Sequence, residues 1–589
     1  AVTTPRKVSL KQLAAMALLL LMPLIGFAAY RFFNQPAPPF QKKTMRKLAT
    51  AGKALRPALS PDGQLVAYAL DEAGSRSVWL GQTATTNRIQ LVPPAETAVQ
   101  GICFSPDGQF VYYTALDQGQ QEAVVYVVSI LGGTARKLLN DVDSPVSFAP
   151  DGKQLAFIRN TPAQGESALW LANADGTNER RLALRKSPDT FSVGGPAWSP
   201  DGNVIACSIS SGKPGESFMQ VAAVNVADGK VQPIGTQTWY AAMQAAWLRD
   251  GSGLVVSAWD HNAPVFADQL WFVTYPGGEA GQVTDELTNF EGVTSAARAD
   301  VLAAWRSERV SHLWVVPADK PAQARQLDVN IGDNYSQLFG LDWTVGDKLL
   351  YSSHQGGNAD LWMLNADGTQ LRQLTVGGRR ELQPVATADG RYIVYLAFDG
   401  RTPHVWRADA DGSNAKQLTN GTGEQSPSIT PDGKWVIFGT RETGKMIAKV
   451  SIEGGEIVGL VSHISSRPVV SPDGQWIACL YLDEAAQRIR PAIVPITGGE
   501  AVRIFSEMPR PEWDSFKWTP DSRALTYIAA RGGTSNLWLQ PIDGSAARQL
   551  TDFKSDRIFR FAWSPDGKSV VCDRGEDLKE IIFISDFRD

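Results

Sequence analysis

The chain has 589 residues, of which 43% are apolar and 9% aromatic, so it predicts several folded cores rather than a disordered polymer or one ordinary domain. The formal net charge is −5, but residues 1–47 hold eight basic residues and no acidic one, which leaves about −13 for residues 48–589. Because binding to phosphate groups needs Lys and Arg, we expect no direct nucleic-acid binding by residues 45–589.

The first predicted element is a membrane segment. The run from Leu13 to Tyr30 is uncharged and lies between basic residues. An apolar run of about 18 or more residues can cross a bilayer as a helix. We therefore expect a single transmembrane helix over 12–33, preceded by a cytoplasmic tail or fragment end at 1–11.

A secretory signal peptide is the alternative interpretation of this run, because small residues follow the apolar stretch. The anchor is preferred, since the sequence begins with Ala1 rather than Met and a signal peptide does not normally follow another domain. Residues 34–44 then predict a proline-rich linker that holds the folded body away from the membrane. We expect a single-pass membrane protein with its body in the periplasm or elsewhere outside the cytoplasm.

After the linker, a turn motif of the type Ser-Pro-Asp-Gly recurs about every 46 residues, in twelve intact or degraded copies. Proline presets φ at the first corner, aspartate accepts hydrogen bonds from backbone amides, and glycine adopts the positive φ that closes a hairpin. The aspartates are therefore predicted to be structural turn residues rather than catalytic or metal-binding groups. Those in the better copies are Asp62, Asp107, Asp151, Asp201, Asp250, Asp432, Asp473, Asp521 and Asp566.

Each copy of the turn is surrounded by four strand-like segments. A short apolar strand ending in a bulky residue precedes the turn, and an alternating or apolar strand follows it. A third segment carries Leu-Trp or an equivalent, and a fourth carries Gln-Leu-Thr. Four short antiparallel strands in about 40–50 residues are typical of a β-propeller blade. The tryptophan at a fixed place in each repeat is predicted to pack between neighbouring blades.

Twelve blades exceed the four to eight of one ring, so the sequence predicts an all-β fold of two tandem six-bladed β-propellers. We expect the first propeller over 45–322 and the second over 323–589. Each ring needs an extra strand to complete its last blade and remove an exposed edge. Residues 46–49 are predicted to close the first ring against 312–315, and residues 324–327 to close the second against 581–585.

The combined repeat resembles that of TolB and its relatives over nearly all of 45–589. It consists of an aromatic residue, Ser-Pro-Asp-Gly, Leu-Trp, Ala-Asp-Gly and Arg-Gln-Leu-Thr. Segments 53–60, 90–96 and 549–557 further resemble the C-terminal part of bacterial membrane signalling proteins. In that family a winged-helix DNA-binding domain of the CadC/ToxR kind, or a Ser/Thr kinase domain, precedes one membrane helix and a TolB-like propeller region. The resemblance implies a sensory or interaction module.

A search for catalytic motifs gives no strong candidate. No Gly-x-Ser-x-Gly pentapeptide is present, and no stretch is left for an α/β-hydrolase domain. The four cysteines are far apart and mostly end apolar runs, which predicts small buried side chains. The five histidines stand singly, without metal-ligand spacing, although propeller lyases recruit histidines from several blades. We therefore expect no catalytic residue, no cofactor and no metal.

The candidate binding surface is the set of loops that join the fourth strand of one blade to the first strand of the next. These loops vary while the turns repeat, as expected for a rigid scaffold that carries a specific surface. The residues selected from them are Trp239, Tyr240, Tyr335, Arg380, Glu424, His463, Arg467 and Arg557.

The function expected from the sequence is a non-enzymatic, membrane-anchored module. It would bind a peptide, a protein or a cell-wall fragment on one propeller face, as the sensory part of a signalling protein. One alternative is an enzyme, either a secreted propeller lyase or glycan hydrolase, or a remnant of a propeller-gated peptidase. Another alternative is a periplasmic scaffold similar to TolB.

Overall fold

A computed structural model describes residues 39–588 apart from 51, 73, 118, 119, 121, 162, 163, 213–217, 262, 264–266, 287, 330–339, 355–357, 400, 401, 422, 443, 487, 507, 509–515 and 532. The predicted transmembrane helix and residues 34–38 of the predicted linker lie outside these residues. Within the described ranges, no helix is long and apolar enough to span a bilayer.

The described residues form short β-strands separated by tight turns, as the alternating apolar segments and the regular Gly and Pro predict. The strands up to the middle of the chain are β1 (Thr44–Lys47), β2 (Ala54–Leu59), β3 (Leu65–Glu72), β4 (Ser75–Gln82), β5 (Arg88–Ala95), β6 (Thr97–Phe104), β7 (Phe110–Asp117), β8 (Val124–Ser129), β9 (Arg136–Asn140), β10 (Ser147–Phe148), β11 (Gln154–Thr161), β12 (Glu166–Asn173), β13 (Arg180–Lys186), β14 (Thr190–Phe191), β15 (Ala197–Trp198), β16 (Val204–Ser211), β17 (Phe218–Asn225), β18 (Val231–Pro233), β19 (Ala241–Trp247), β20 (Gly253–Trp259), β21 (Gln269–Thr274), β22 (Ala280–Gln282), β23 (Asn289–Ser295) and β24 (Leu302–Pro317).

A 3-10 turn at Pro321–Gln323 leads into the second half of the chain. Its strands are β25 (Arg325–Gln326), β26 (Leu341–Thr344), β27 (Lys348–Ser353), β28 (Asp360–Asn365), β29 (Arg372–Gln373), β30 (Glu381–Ala386), β31 (Tyr392–Asp399), β32 (Thr402–Asp409), β33 (Lys416–Gln417), β34 (Gln425–Ile429), β35 (Trp435–Gly439), β36 (Ile447–Ser451), β37 (Val458–Val461), β38 (Ser465–Val470), β39 (Trp476–Asp483), β40 (Arg488–Pro495), β41 (Arg503–Ile504), β42 (Phe516–Trp518), β43 (Ala524–Arg531), β44 (Thr534–Pro541), β45 (Arg548–Gln549), β46 (Arg557–Trp563) and β47 (Ser569–Ser585).

The strands form twelve antiparallel blades in two rings of six, which confirms the predicted all-β double propeller. In the first ring, five blades are β2–β5, β6–β9, β10–β13, β14–β18 and β19–β22. In the second ring, five blades are β26–β29, β30–β33, β34–β37, β38–β41 and β42–β45. The remaining two blades share one sheet that contains β1, β23, β24, β25, β46 and β47.

The hydrophobic core lies between neighbouring blades. One cluster joins Ile158 and Leu169 of the third blade to Ile205 and Cys207 of the fourth. Several indole N–H groups also reach the preceding blade: Trp247 Nε1 donates to Ala197 O at 2.9 Å, for example. The blades are thus held together by apolar packing and by specific hydrogen bonds.

The recurring turn is stabilised by its own side chains. In the first copy, Ser60 Oγ donates to Asp62 Oδ1 at 2.6 Å, the Gln64 amide donates to the same oxygen at 3.1 Å, and the Leu65 amide donates to Ser60 Oγ at 2.8 Å. The hydrogen bonds from Ser60 and Gln64 lower the pKa of Asp62. Gly63 has a φ of 74°, as such a turn requires.

The last blade of each ring is built from strands that cross between the rings. β24 and β47 are 16 and 17 residues long and pair antiparallel along their length, from Leu302 opposite Ile584 to Pro317 opposite Ser569. The first half of β24 lies in the first ring and its second half lies in the second ring. β47 runs in the opposite sense, so its last residues complete a blade of the first ring.

This exchange corrects the predicted ring closures. β1 pairs with residues 582–585 rather than with 312–315, and β25 pairs with Trp314 and Val315 rather than with 581–585. The physical reason is the absence of a turn signal in the middle of β24. Its central sequence, Ser307-Glu308-Arg309-Val310, has no Gly, Pro or Asn to reverse the chain, so the strand continues into the other ring.

The crossing also fixes how the rings face each other. In an ordinary blade, a hairpin joins the second and third strands on the same face as the loops between blades. β24 leaves the first ring at that face, and it enters the second ring at the equivalent face. The loop faces of the two rings therefore point toward each other. Contacts between these faces include the Arg380 guanidinium, which lies 5.9 Å from the Trp259 ring of the first propeller.

Candidate functional site

The candidate site is the cavity on the axis of the second propeller, called here the second-ring channel. It is lined by residues from the innermost strands of all six blades, β26, β30, β34, β38, β42 and β46. The cavity volume is about 70 Å³. This is room for a few water molecules or one small polar group.

Three neighbouring innermost strands carry the same local distortion where they line the channel. Gln383, Ser426 and Arg467 have φ values of 52°, 50° and 54°, and each is followed by proline. The strand pairing shifts at each of these positions. A β-bulge of this kind redirects a side chain and ends regular pairing, so three consecutive blades present polar side chains to the channel.

Polar contacts between blades make the channel wall rigid. The Ser426 amide donates to Gln383 Oε1 at 2.9 Å, and the Ala386 amide donates to Asp342 Oδ2 at 2.9 Å. The Val470 amide donates to Ser428 Oγ at 3.0 Å. Each bond connects the innermost strands of adjacent blades, so the lining positions are fixed relative to one another.

The channel contains basic side chains. Arg467, Lys517 and Arg560 contribute to its lining, from β38, β42 and β46. The half-buried carboxyl of Asp342 lies close enough to Lys517 to feel its charge, but burial is the larger effect and raises the pKa of Asp342. Among the described residues, the lining of the channel thus includes three basic side chains and no acidic one.

The innermost wall of the first ring has a similar bulge at Arg56, which has a φ of 54° and precedes Pro57. Arg56 lies 5.1 Å from the Trp305 ring, and Ser307 Oγ donates to Glu291. Burial raises the pKa of Glu291 and lowers the pKa of Arg56. Arg56 and Glu291 lie on the innermost strands β2 and β23 of neighbouring blades.

Three of the predicted binding-face residues are buried, which corrects their assignment to an accessible surface. Trp239 is 1% exposed and packs edge-on against Trp271. Glu424 is 1% exposed, and its Oε2 lies 2.9 Å from His404 Nδ1. Arg380 is buried between the rings. The loop face that binds partners in a single propeller is here partly covered by the other ring.

The other predicted residues are scattered. Tyr240 is exposed and packs on Trp259, with ring centroids 4.4 Å apart. His463 stacks on Tyr481 at 4.3 Å, and Arg557 lies 3.5 Å from Asp577. Tyr335 lies outside the described residues. Among the described residues of the predicted set, only Arg467 lines the second-ring channel.

The sequence prediction missed Gln383, Lys517 and Arg560. A signal for this region was present, since Gln-Pro, Ser-Pro and Arg-Pro stand at the same place in three successive first strands. Proline inside a strand indicates a bulge or an edge. Within the described ranges, no group of three or more His, Cys, Asp and Glu side chains is arranged to hold a metal ion.

One family model matches part of the chain. Residues 280–462 match the family model described as "TolB beta propeller domain". The chain thus contains a TolB-like β-propeller domain, in agreement with the predicted resemblance. The crystal structure of the tricorn protease is similar to this chain with 12% identity and a TM-score of 0.32. The alignment includes 90% of this chain and 53% of the tricorn chain.

Two curated relatives are peptidases by name. Tricorn protease homolog 1 of Streptomyces coelicolor is 28% identical over 241 residues, which is 38% of this chain and 20% of that protein. Dipeptidyl aminopeptidase BIII of Pseudoxanthomonas mexicana is 31% identical over 104 residues, which is 17% of this chain and 15% of that protein. The matched region spans a fifth or less of the length of these relatives.

These relatives contradict the expectation of a non-enzymatic chain. Their names point to a peptidase-type propeller, which is one of the alternatives that the sequence left open. They give no support to the expected association with winged-helix regulators or protein kinases.

Proposed function

We propose that this chain is the propeller region of a peptidase-type protein and that the second-ring channel receives part of the peptide substrate. The observation that carries this proposal is the cavity to which all six blades of the second ring contribute. The names of the relatives supply the reaction class. A cavity of this size admits one small group at the end of an unstructured peptide and excludes a folded protein, so the propeller would act as a filter for substrates.

The mutual orientation of the rings supports the same role. Their loop faces point toward each other and touch around Trp259 and Arg380. A peptide that reaches the space between these faces leaves bulk water and meets a pre-formed surface. Such confinement reduces the entropy cost of binding an extended chain, because little of the protein has to become ordered.

Filling the channel tests this proposal. Val469 lines the cavity, so Val469→Trp should lower kcat/KM for unstructured peptides at least tenfold. Val376→Trp is the matched control, since Val376 is 86% exposed. Unchanged kcat/KM for the filled channel would show that the substrate does not use it. If no peptide in a broad fluorogenic library is hydrolysed, the peptidase assignment fails.

A sensory role in a signalling protein is the second candidate function, and the uncharged run from Leu13 to Tyr30 favours it. We propose with it that a single membrane helix holds the propellers outside the cytoplasm. Binding of peptides without hydrolysis would favour this role over the peptidase. A cysteine introduced at exposed Leu131 should react with an impermeant maleimide in intact cells. Labelling only after lysis would contradict the extracytoplasmic location.

A further inference from the structure

The outermost strand of the first blade is unusually long. This strand is β5, which has eight residues. In the described part of the chain, the outermost strands of the other blades have two to seven residues, and only β13 exceeds five. Among the described residues, no strand pairs with the outer side of β5. β5 therefore presents the longest open sheet edge of the described structure, and an open edge can pair with another chain.

The adjacent blade does not cover this edge as it does elsewhere. In several blades, the turn between the third and fourth strands contacts the outermost strand of the preceding blade. A methyl group on Gly176 would overlap the carbonyl oxygen of Leu138 on β9, and the Gly499 amide donates to Leu460 O on β37 at 3.0 Å. In the second blade, by contrast, a methyl group on Gly132 would meet no described atom within 4 Å. This turn thus leaves β5 accessible.

The hydrogen-bond pattern determines which backbone groups of β5 point outward. At the start of the strand, the Gln82 amide donates to Asn87 O at 3.1 Å. In an antiparallel ladder, successive residues alternate between bonding to the neighbouring strand and facing away from it. Ile89 therefore bonds to β4, whereas the backbone groups of Arg88 and Gln90 point away from the blade.

The side chains of this edge offer little protection against pairing. Ile89 is apolar and 51% exposed. Arg88 is the one charged residue of β5, and its guanidinium lies 5.0 Å from the Trp79 ring of the same blade. Sheet edges are usually protected by charged side chains, but here the charge lies against the blade. Pro93 and Pro94 lack an N–H group, so pairing is restricted to the first half of the strand.

We propose that β5 pairs antiparallel with β5 of a second copy of this chain, about a two-fold axis at Ile89. In this register Ile89 meets its own copy, and Arg88 lies opposite Gln90 of the other copy. The outward backbone groups of Arg88 and Gln90 then bond to each other in both directions, and no like charges meet. The same pairing of β13 would bring Arg181 opposite Arg185, and such like-charge pairs are destabilising.

Exposed apolar side chains of the adjacent second blade extend the surface around β5. Phe110 is 42% exposed and Leu131 is 90% exposed. An edge contact of this kind is small, so the dimer forms at high protein concentration rather than being obligate. The self-association is independent of the peptidase assignment, because β5 lies on the rim of the first ring and not in the second-ring channel.

Disulfide trapping tests the register. Facing Cα atoms of a pair such as Ile89 and its copy are about 4.5 Å apart, which a disulfide can span. The full chain with Ile89→Cys, kept in detergent and oxidised with copper phenanthroline, should therefore run as a covalent dimer on a non-reducing gel. Val502→Cys is the matched control, since Val502 is 59% exposed on the rim of the second ring. Equal cross-linking of the two variants would overturn the proposed register.

A charge exchange at the same position tests the pairing without a covalent bond. Ile89→Arg and Ile89→Glu each place like charges at the two-fold axis, so each should raise the dimer dissociation constant at least about fivefold. An equimolar mixture of the two variants should restore the affinity, because opposite charges then meet. Sedimentation equilibrium measures the three constants, and circular dichroism establishes that each variant is folded.

The outcomes separate self-association from other uses of the edge. A chain that stays monomeric at the highest attainable concentration would overturn the proposal. Dimerisation that neither substitution weakens would also overturn it, because the contact would then lie elsewhere. If the monomeric chain instead binds an extended apolar peptide that protects the Arg88 and Gln90 amides from hydrogen exchange, the edge serves a different partner and the second copy is the wrong occupant.

Discussion

Two buried carboxyl groups stand out among the single residues of the second ring. Asp360 is 3% exposed, and its Oδ1 is buried without a hydrogen-bond partner among the described residues. Glu381 Oε2 is also buried without a hydrogen-bond partner among the described residues. Burial raises the pKa of Asp360 to about 6 and the pKa of Glu381 to about 7, and the charge of Asp360 adds to the second effect.

These pKa values predict how stability depends on pH. Because both exceed the value of about 4 in an unfolded chain, the folded protein holds extra protons. The resulting stabilisation is complete below about pH 4 and is lost as the pH rises toward 7. The glutamine in Glu381→Gln cannot ionise, so the variant does not lose this stability as the pH rises. From pH 4.5 to 7.5, its free energy of unfolding should increase by roughly 1–2 kcal/mol relative to that of the unaltered chain.

Thermal unfolding of both proteins across this pH range measures the difference. Glu456→Gln provides a control at an exposed position of the same ring. Parallel pH curves for the unaltered chain and Glu381→Gln would contradict the expected link between burial of this carboxyl and stability.

Gly575 is the residue on which the crossing of β47 depends most directly. A methyl group at this position would overlap the backbone oxygen of Val310 on the paired strand. Overpacking of this kind costs about 1–3 kcal/mol, so Gly575→Ala should lower the free energy of unfolding by about 2 kcal/mol. Gly281→Ala should change it little, since a methyl group there meets open space. Urea titrations of the two variants give the comparison, and equal midpoints would refute the close approach.

At the scale of strands, the exchange between rings makes a specific prediction for truncation. Residues 580–585 pair with the first half of β24 and with β1, although they follow the second ring in sequence. Deleting 580–589 should therefore expose amides in 44–47 and 302–306 to hydrogen exchange. Amides in β31, β35 and β39 of the second ring should stay protected. If the deletion instead exposed amides of the second ring and left 44–47 protected, the exchange would be refuted and the predicted pairing of 581–585 with 324–327 would be supported.

The turns and blades were predictable because their information is local. Each Ser-Pro-Asp-Gly copy contains its own hydrogen-bonding groups, and the four strands around it follow within a few residues. The closing strands were assigned to the wrong partners because a short strand such as Arg325–Gln326 pairs equally well with many apolar strands. Lys517 and Arg560 were missed for a similar reason: which side chain faces the channel depends on bulges that the repeat pattern does not fix.

For the whole molecule, the shared sheet couples the stability of the two rings. Phe290 is fully buried in the core of the first ring, and Phe290→Ala should cost about 3–5 kcal/mol. Because β24 and β47 belong to both rings, we expect one calorimetric transition, which shifts as a unit in the variant. Two separate peaks, with only one displaced by the substitution, would show that the rings unfold independently.

The exchange of strands also determines when the first ring can be completed during synthesis. β1 and its partner segment 582–585 are separated by nearly the whole described chain. At the usual translation rate of about 5–20 residues per second, the partner emerges from the ribosome roughly 30–110 s after β1. Until then the last blade of the first ring lacks the strand supplied by β47, β1 has no partner, and the open edges are accessible to chaperones and to other nascent chains. If translation stops early, the released chain therefore has an incomplete blade that includes its first strand, β1. A protease can recognise this unpaired segment.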